Sequence, residues 1–257
     1  MAESDPIFVT TQIQNGVAFL TLDRPPLNVM NVAMLQQLET ALAGISRDPG
    51  VRVLVLNARG KLFSAGVDVA DHTADKVAVL IPLFDRLCAA LADLPIPTLA
   101  AVHGHALGGG CELVLCCDLA VMAEGAAIGQ PEIHLAALAP VAALRLPYLV
   151  GYRLAADMLL TGRRLSSQEA LRFGLVNAVM PPDQVSDRVE SSAAELAKLS
   201  RAALSLVKKA LRLGYGEWTK SMPEMERLYL QDLMGTYDAH EGLAAFMGKR
   251  APNWEHR

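Results

Sequence analysis

Charge is scarce in this chain. Charged side chains make up 19% of its 257 residues, against about 25% in an ordinary soluble domain. The 23 basic and 27 acidic residues leave a net charge of -4, and the pI is about 5.9. No lysine or arginine stripe is present, so a nucleic acid or an anionic membrane has no electrostatic footprint to bind. Cysteine is also sparse. Cys88, Cys111, Cys116 and Cys117 sit in apolar runs without zinc-site spacing, and no histidine pair completes a metal set. They read as buried free thiols of a reducing compartment, with no metal expected. Long apolar runs are missing too. The greasiest stretches are broken by Asp118, Glu124, His134 and Arg145, so none has the length to span a bilayer. The first residues, MAESDPIF, are acidic and lack an apolar signal-peptide core, so a cytoplasmic protein is expected. Repeats, low-complexity tracts and linkers are absent.

What is abundant is apolar residues, at 52%. That excess calls for a large core, an oligomer interface, or both. Ile7–Ile13 and Val17–Leu22 alternate as strands around Asn15-Gly16, a strong hairpin turn signal. Asp23-Arg24-Pro25-Pro26 ends the second strand. Asn31 is placed to cap a helix running to Ile45, and Val51–Leu56 reads as a buried strand. This β-helix-β order predicts an α/β sheet. A helix is expected from about Ala74 to Leu94, kinked or divided by Pro82, and then a strand over Thr98–Val102. Beyond Glu132 the chain reads as mostly helical: Val141–Val150, Arg153–Leu160, Ser167–Arg172, Asp183–Leu199, Arg201–Leu213, Glu224–Met234 and about His240–Met247. Ser166 and Glu169 form a capping box, and Gly174 ends that helix. The expected division is residues 1–195 as an α/β core and 196–257 as a helical region of the same unit.

Three stretches carry chemistry. Lys61-Leu62-Phe63-Ser64-Ala65-Gly66-Val67-Asp68 is a small-residue loop after a strand end, where α/β sheets place ligands. Val102–Cys117, VHGHALGGGCELVLCC, ends an apolar run in Gly108, Gly109 and Gly110 and then places Glu112 in the first turn of an expected helix over Cys111–Cys117. Glycines leave peptide N–H groups uncovered, and a helix N-terminus favours negative charge. Glu112 alone equally suits a helix-start charge that complements the dipole. Gly129-Gln130-Pro131-Glu132 supplies a second carboxylate after another strand.

Taken together, FSAGVD, VHGHALGGGCEL, CDLAVMAEGAAIGQPE and LLLTGRRLSSQEALRFGLVNAV resemble the enoyl-CoA hydratase/isomerase (crotonase) superfamily across nearly the whole chain and in the right order. The resemblance implies a crotonase (ClpP-like) α/β fold, a repeated ββα spiral core with a C-terminal helical trimerisation region. It makes the backbone N–H groups of Val67 and Gly109 an oxyanion hole. Glu112 and Glu132 match the two glutamates of the hydratases, with Glu112 the base on water and Glu132 the acid that protonates C2. Relatives that isomerise double bonds or hydrolyse thioesters often lack one of the two, so the pair favours hydration of an α,β-unsaturated acyl-CoA. The alternatives are an enoyl-CoA isomerase and, from another class, a non-catalytic acyl-CoA- or RNA-binding homologue. Ala65, Gly66, Asp68, Val69, Gly108, Gly110, Pro131 and Pro140 are the residues expected around the substrate.

The resemblance also implies an acyl-CoA thioester as the partner, no cofactor of the protein's own, and a homotrimer or a hexamer built as a dimer of trimers. The family's CoA-phosphate lysine is replaced by Ala70, which leaves Arg24 and Lys76 as substitutes. Asp68, near the nucleotide part of CoA in the family, equally suits a loop cap. His103 and His105 read as hydrogen-bonded structural histidines, and Lys208, Lys209 and Arg212 as a solvated helix face. Leu138-Ala139-Pro140-Val141-Ala142-Ala143 replaces the family's second glycine cluster. Together with GVDVADHTAD and HEGLAAFMGKRAPNW, it is similar to the cyclic dienoyl-CoA hydratases of anaerobic aromatic degradation.

Overall fold

A hairpin starts the sheet. β1 (Val9–Gln14) and β2 (Val17–Leu22) pair antiparallel, with Asn15 and Gly16 at φ of +53° and +81°, the backbone a two-residue primed turn requires. The computed structural model describes residues 6–72, 76–215 and 218–255. α1 (Val32–Arg47) follows, capped as expected by the Asn31 side chain, which accepts the Met34 N–H at 3.0 Å. Met34, Leu35, Leu38, Leu42 and Ile45 form its buried stripe. β3 (Val53–Ala58) then pairs parallel with β2, starting two residues later than the apolar run, although Val51 is also fully buried.

α2 (Val77–Asp93) holds Pro82 inside one undivided helix. An interior proline costs about 3 kcal/mol, which burial of Leu80, Ile81, Leu83 and Phe84 around it offsets. The expected start near Ala74 lies outside the described residues. The chain continues through β4 (Thr98–Val102), β5 (Ala106–Leu107), α3 (Gly109–Cys116), β6 (Leu119–Ala123) and β7 (Ala127–Gly129). A 3-10 turn at Glu132–Leu135 leads to α4 (Pro140–Val150), α5 (Tyr152–Thr161), β8 (Arg164–Ser166), α6 (Ser167–Arg172) and β9 (Ala178–Met180). α7 (Val185–Ala197), α8 (Arg201–Tyr215), α9 (Met222–Arg227) and α10 (Tyr237–Met247) complete it.

The main sheet has the order β1-β2-β3-β4-β6-β9, parallel except for β1, and a smaller sheet has the order β5-β7-β8. β4 is buried along its full length, as a parallel strand covered on both faces should be. One core joins this sheet to the later helices and takes in Trp218 and Met222. The capping box is present: Ser166 Oγ accepts the Glu169 N–H, the Glu169 carboxylate accepts the Ser166 N–H, and Gly174 sits at φ +75°.

Three expectations change. Glu224–Met234 is two pieces, α9 and a π turn over Leu228–Leu233. Asp183–Leu199 opens with a 3-10 turn at Pro182–Gln184 before α7. Lys208 is not on a solvated face: it is buried, with Nζ 2.7 Å from Asp118 and donating to the Ile96 carbonyl at 2.9 Å. A buried ammonium needs such partners, and these dock α8 against the end of β6. Arg212 pairs with Asp93, and Lys209 is exposed as expected. Among the described residues no helix is long and apolar enough to cross a membrane. All four cysteines are buried free thiols.

Candidate active site

The loop after β3 is pinned from below. The buried Asn28 side chain donates to the carbonyls of Arg59, Leu62 and Phe63 at 2.7, 3.1 and 3.1 Å. Ser64 Oγ donates to the Asn28 carbonyl at 2.7 Å and accepts the Gly66 N–H at 3.1 Å. Met30 then brackets the next turn, donating to Gly66 O at 2.8 Å and accepting the Asp68 N–H at 2.9 Å. Between these bonds the Val67 N–H has no acceptor among the described residues. The same holds for Gly109, whose neighbours are used: Gly108 N–H donates to Gly129 O and Glu112 N–H to Gly108 O.

Glycine is required where these segments meet. Gly66 is at φ +111°, and a Cβ there would lie 3.2 Å from the Leu107 carbonyl oxygen and 3.5 Å from the Gly109 nitrogen. Gly108 is at φ +55°, and its Cβ would strike Glu132 Oε1. A Cβ on Gly109 would come within 2.6 Å of Val67 Cγ2. The two free N–H groups and the two glutamates are therefore gathered at one place by backbone contact.

Glu112 is buried in the first turn of α3. Its Oε1 accepts the Ala142 N–H at 3.0 Å, and the Val141 N–H also stabilises it. Both come from the first turn of α4, where Pro140 takes the first helical position, a position whose N–H would go unused in any helix. The start of α4 thus aims its N–H groups at a carboxylate. Glu132 opens the 3-10 turn. With its nitrogen turned inward, the buried Gln130 amide donates to both Glu132 oxygens at 3.2 and 3.0 Å.

Burial raises both carboxyls, and their surroundings separate them. Glu112 is pushed up to about 7 by burial, restrained by the N–H groups of Ala142 and Val141. Glu132 is pushed up to about 8, by burial and then by the neighbouring Glu112. The two carboxyls therefore titrate as a pair, in two steps that belong to both, with the N–H groups of Ala142 and Val141 favouring the charge on Glu112. Another carboxyl, that of Asp85 on α2, is buried near Glu112. Neither oxygen of Asp85 has a hydrogen-bond partner among the described residues, and burial, Glu112 and Glu226 push it up to about 8.

One cavity collects most of the expected residues. Glu112, Glu132, Val67 and Gly109 line it, as do Ala65, Gly66, Val69 and Gly108, and also Pro131 and Pro140. Three do not reach it. Gly110 is packed under Ser64, whose Cβ an added methyl would approach to 2.7 Å. Asp68 caps the turn over Val69–Asp71 and pairs with Arg24 at 3.3 Å. Arg24 also donates to the Val29 carbonyl and covers the Phe8 ring. Lys76 pairs with Asp71 at 2.9 Å, so both substitutes for the lysine missing at Ala70 sit in ion pairs. His103 and His105 are structural, meeting Gly60 O at 3.0 Å and the Ala127 N–H at 2.9 Å.

Sequence reasoning missed Gln130, Asp85, His72 and Tyr229. Asp85 had a signal, a charge between Phe84 and Cys88 on an otherwise apolar helix face. Gln130 stood inside a recognised motif. Tyr229 had none, since its segment reads as an ordinary helix.

Two backbone N–H groups without acceptors among the described residues lie beside two raised carboxyls at strand ends of an α/β core, an arrangement able to receive a developing negative charge and to move a proton. The chain belongs to the enoyl-CoA hydratase/isomerase family, whose model matches residues 12–257. Among curated proteins it is similar to a cyclohexa-1,5-dienecarbonyl-CoA hydratase of Thauera aromatica, 35% identical over 99% of this chain and 98% of that one. It is also similar to a 2,3-dehydroadipyl-CoA hydratase of Escherichia coli, 36% identical over 95% and 97%. The fold matches a crystal structure of an enoyl-CoA hydratase from Mycobacterium avium subsp. paratuberculosis with a TM-score of 0.85, 27% identity and coverage of 96% and 98%. One from Bacillus anthracis gives 0.79, 31%, and 98% and 100%.

Proposed function

We propose that the chain is a hydro-lyase that adds water across the C2=C3 double bond of an α,β-unsaturated acyl-CoA, with Glu112 as base and Glu132 as acid. The observation that carries this assignment of roles is the unequal environment of the two carboxyls. Glu112 is stabilised as an anion by two N–H groups at the start of α4, whereas on Glu132 the Gln130 amide is opposed by the neighbouring charge of Glu112, which raises the carboxyl further. Near neutrality one accepts a proton while the other can give one.

In the forward reaction Glu112 takes a proton from water as the water oxygen bonds to C3. The C2=C3 electrons move towards the thioester carbonyl, whose oxygen becomes an enolate. The Val67 and Gly109 N–H groups receive that charge, and one such donor is worth roughly 2.7–4 kcal/mol in a transition state. The enolate then re-forms its carbonyl while C2 takes the Glu132 proton. One water has been added, and the proton left on Glu112 returns to Glu132 before the next turnover. The sequence of steps uses no metal or redox cofactor, because CoA belongs to the substrate.

The thiols Cys88, Cys111, Cys116 and Cys117, all free and buried, support a cytoplasmic setting. Exposed apolar side chains on α5 and α8, among them Tyr152, Leu160, Leu206 and Leu211, support the subunit contacts of a homotrimer or hexamer. A cyclic dienoyl thioester is the second reading, favoured by the Thauera relative and by Pro140 in the cavity wall. The test is crotonyl-CoA in water: loss of absorbance from the conjugated thioester is expected. An unchanged signal with turnover of 3-enoyl thioesters would instead identify an isomerase.

A further inference from the structure

The cavity leaves about 100 Å³ of space that water can reach, well below the ~300–1,000 Å³ of pockets that enclose a whole drug-sized ligand. It has room for the reacting head of an acyl group and little more. One of its walls comes from outside the glycine segments. Tyr229 is only 1% exposed and is among the largest fully buried side chains of the chain. With Val77 and Ile81 of α2 it forms a small apolar cluster separate from the main core, and Leu138, Leu230, Leu233 and Met234 pack against it. The Tyr229 carbonyl accepts the Met234 N–H at 3.0 Å, a five-residue closure. Single π turns of this kind are frequent at functional sites.

Tyr229 is also tied to the oxyanion segment. Its ring lies 6.4 Å from the His72 ring, tilted by 42°, and His72 Nδ1 lies 2.9 Å from the Asp68 carbonyl oxygen. A wall therefore runs from Val67 through His72 and Tyr229 to Ile81, all of which line the cavity. Burial, then Glu132 and Glu112, push the phenol up, so the ring stays uncharged beside the glutamate pair.

We propose that Tyr229 is the specificity-determining residue of the acyl pocket: its ring closes the space around the glutamate pair, so that compact, planar acyl groups enter and long linear chains are turned away. The inference rests on the hydratase reading and deepens it by naming the class of acyl group. A rigid aromatic wall excludes volume at low entropic cost, and hydrophobic pockets discriminate by about 10–200-fold per misfitting group.

The test compares kcat/KM for crotonyl, cyclohexadienecarbonyl and decenoyl thioesters in the wild type and in Tyr229→Ala, Tyr229→Leu and Tyr229→Phe, with circular dichroism to verify folding. The wild type should prefer the two compact substrates. Tyr229→Ala and Tyr229→Leu should raise the decenoyl-to-crotonyl ratio about tenfold or more, chiefly through KM, while Tyr229→Phe keeps the wild-type ratio. Tyr229→Leu carries the test if the alanine variant does not fold. A wild type that hydrates decenoyl and crotonyl thioesters equally well, or variants that leave the ratio unmoved, would overturn the wall assignment alone. A wild type inert towards all three would overturn the hydratase reading with it.

Discussion

The cavity is assembled by two regions that work on different principles. Residues 64–68 and 108–112 contribute backbone: N–H groups without acceptors, glycines in close contact, and Glu112 at a helix start. The wall made by α2 and the π turn contributes side-chain volume from Ile81, Phe84 and Tyr229. The backbone side has no slack, because each added Cβ meets something fixed or functional. The wall side is graded, because one ring can be exchanged for a smaller one. In the proposed reaction, chemistry falls to the first region and choice of substrate to the second.

That division can be broken by experiment. The largest effect should come from the carboxyls. Glu112→Gln or Glu132→Gln should lower kcat by roughly 10²–10⁴-fold on every substrate alike, with binding of a non-reacting acyl thioester retained. Selective loss on one substrate, measured in steady state, would erase the distinction between the regions. Gly108→Ala comes next. It forces an L side chain to φ +55° against Glu132 Oε1, and misplacing a catalytic group by about 1 Å costs on the order of 10²-fold. Its kcat should fall by about that factor, again without a change in substrate ratio.

Asp85 belongs to both regions, on the wall helix but coupled to Glu112. Its carboxyl is raised from 3.8 to about 8 in the folded state. The folded chain therefore holds a proton that the unfolded chain gives up at lower pH. That contribution is complete below about pH 4 and is lost as the pH rises through about 8. Asp85→Asn has no such proton to lose, so its melting temperature should fall less between pH 5 and pH 9 than the wild type's. Parallel curves would show that Asp85 has a charge partner after all.

Much of the fold, and the glycine side of the cavity, was legible because the rules there are local. Asn15-Gly16, the Asn31 cap and the Ser166–Glu169 box were each recognisable from a few adjacent residues, and the glycine run marked the place where segments meet. The family resemblance, rather than spacing, supplied the pairing of Val67 with Gly109 and of Glu112 with Glu132. The wall was not legible. Tyr229 reaches the cavity through a π turn that its helical sequence pattern does not announce, and it is held by α2 residues far away in the chain. Lys208 was misjudged for a related reason, since Asp118, which makes its burial possible, lies on a distant strand connection. Pro140 is expected from the sequence only as a residue around the substrate, yet it also starts the helix that stabilises Glu112.

In the proposed reaction the two glutamates divide the work of base and acid, and the pH dependence of crotonyl-CoA hydration tests that division most directly. Wild-type kcat/KM should rise with the first ionisation of the glutamate pair and fall with the second, between about 7 and about 8, giving a narrow bell. Glu132→Gln should retain the acid limb in its residual activity and lose the alkaline one. A flat wild-type profile, or an alkaline limb that survives in Glu132→Gln, would contradict the assignment.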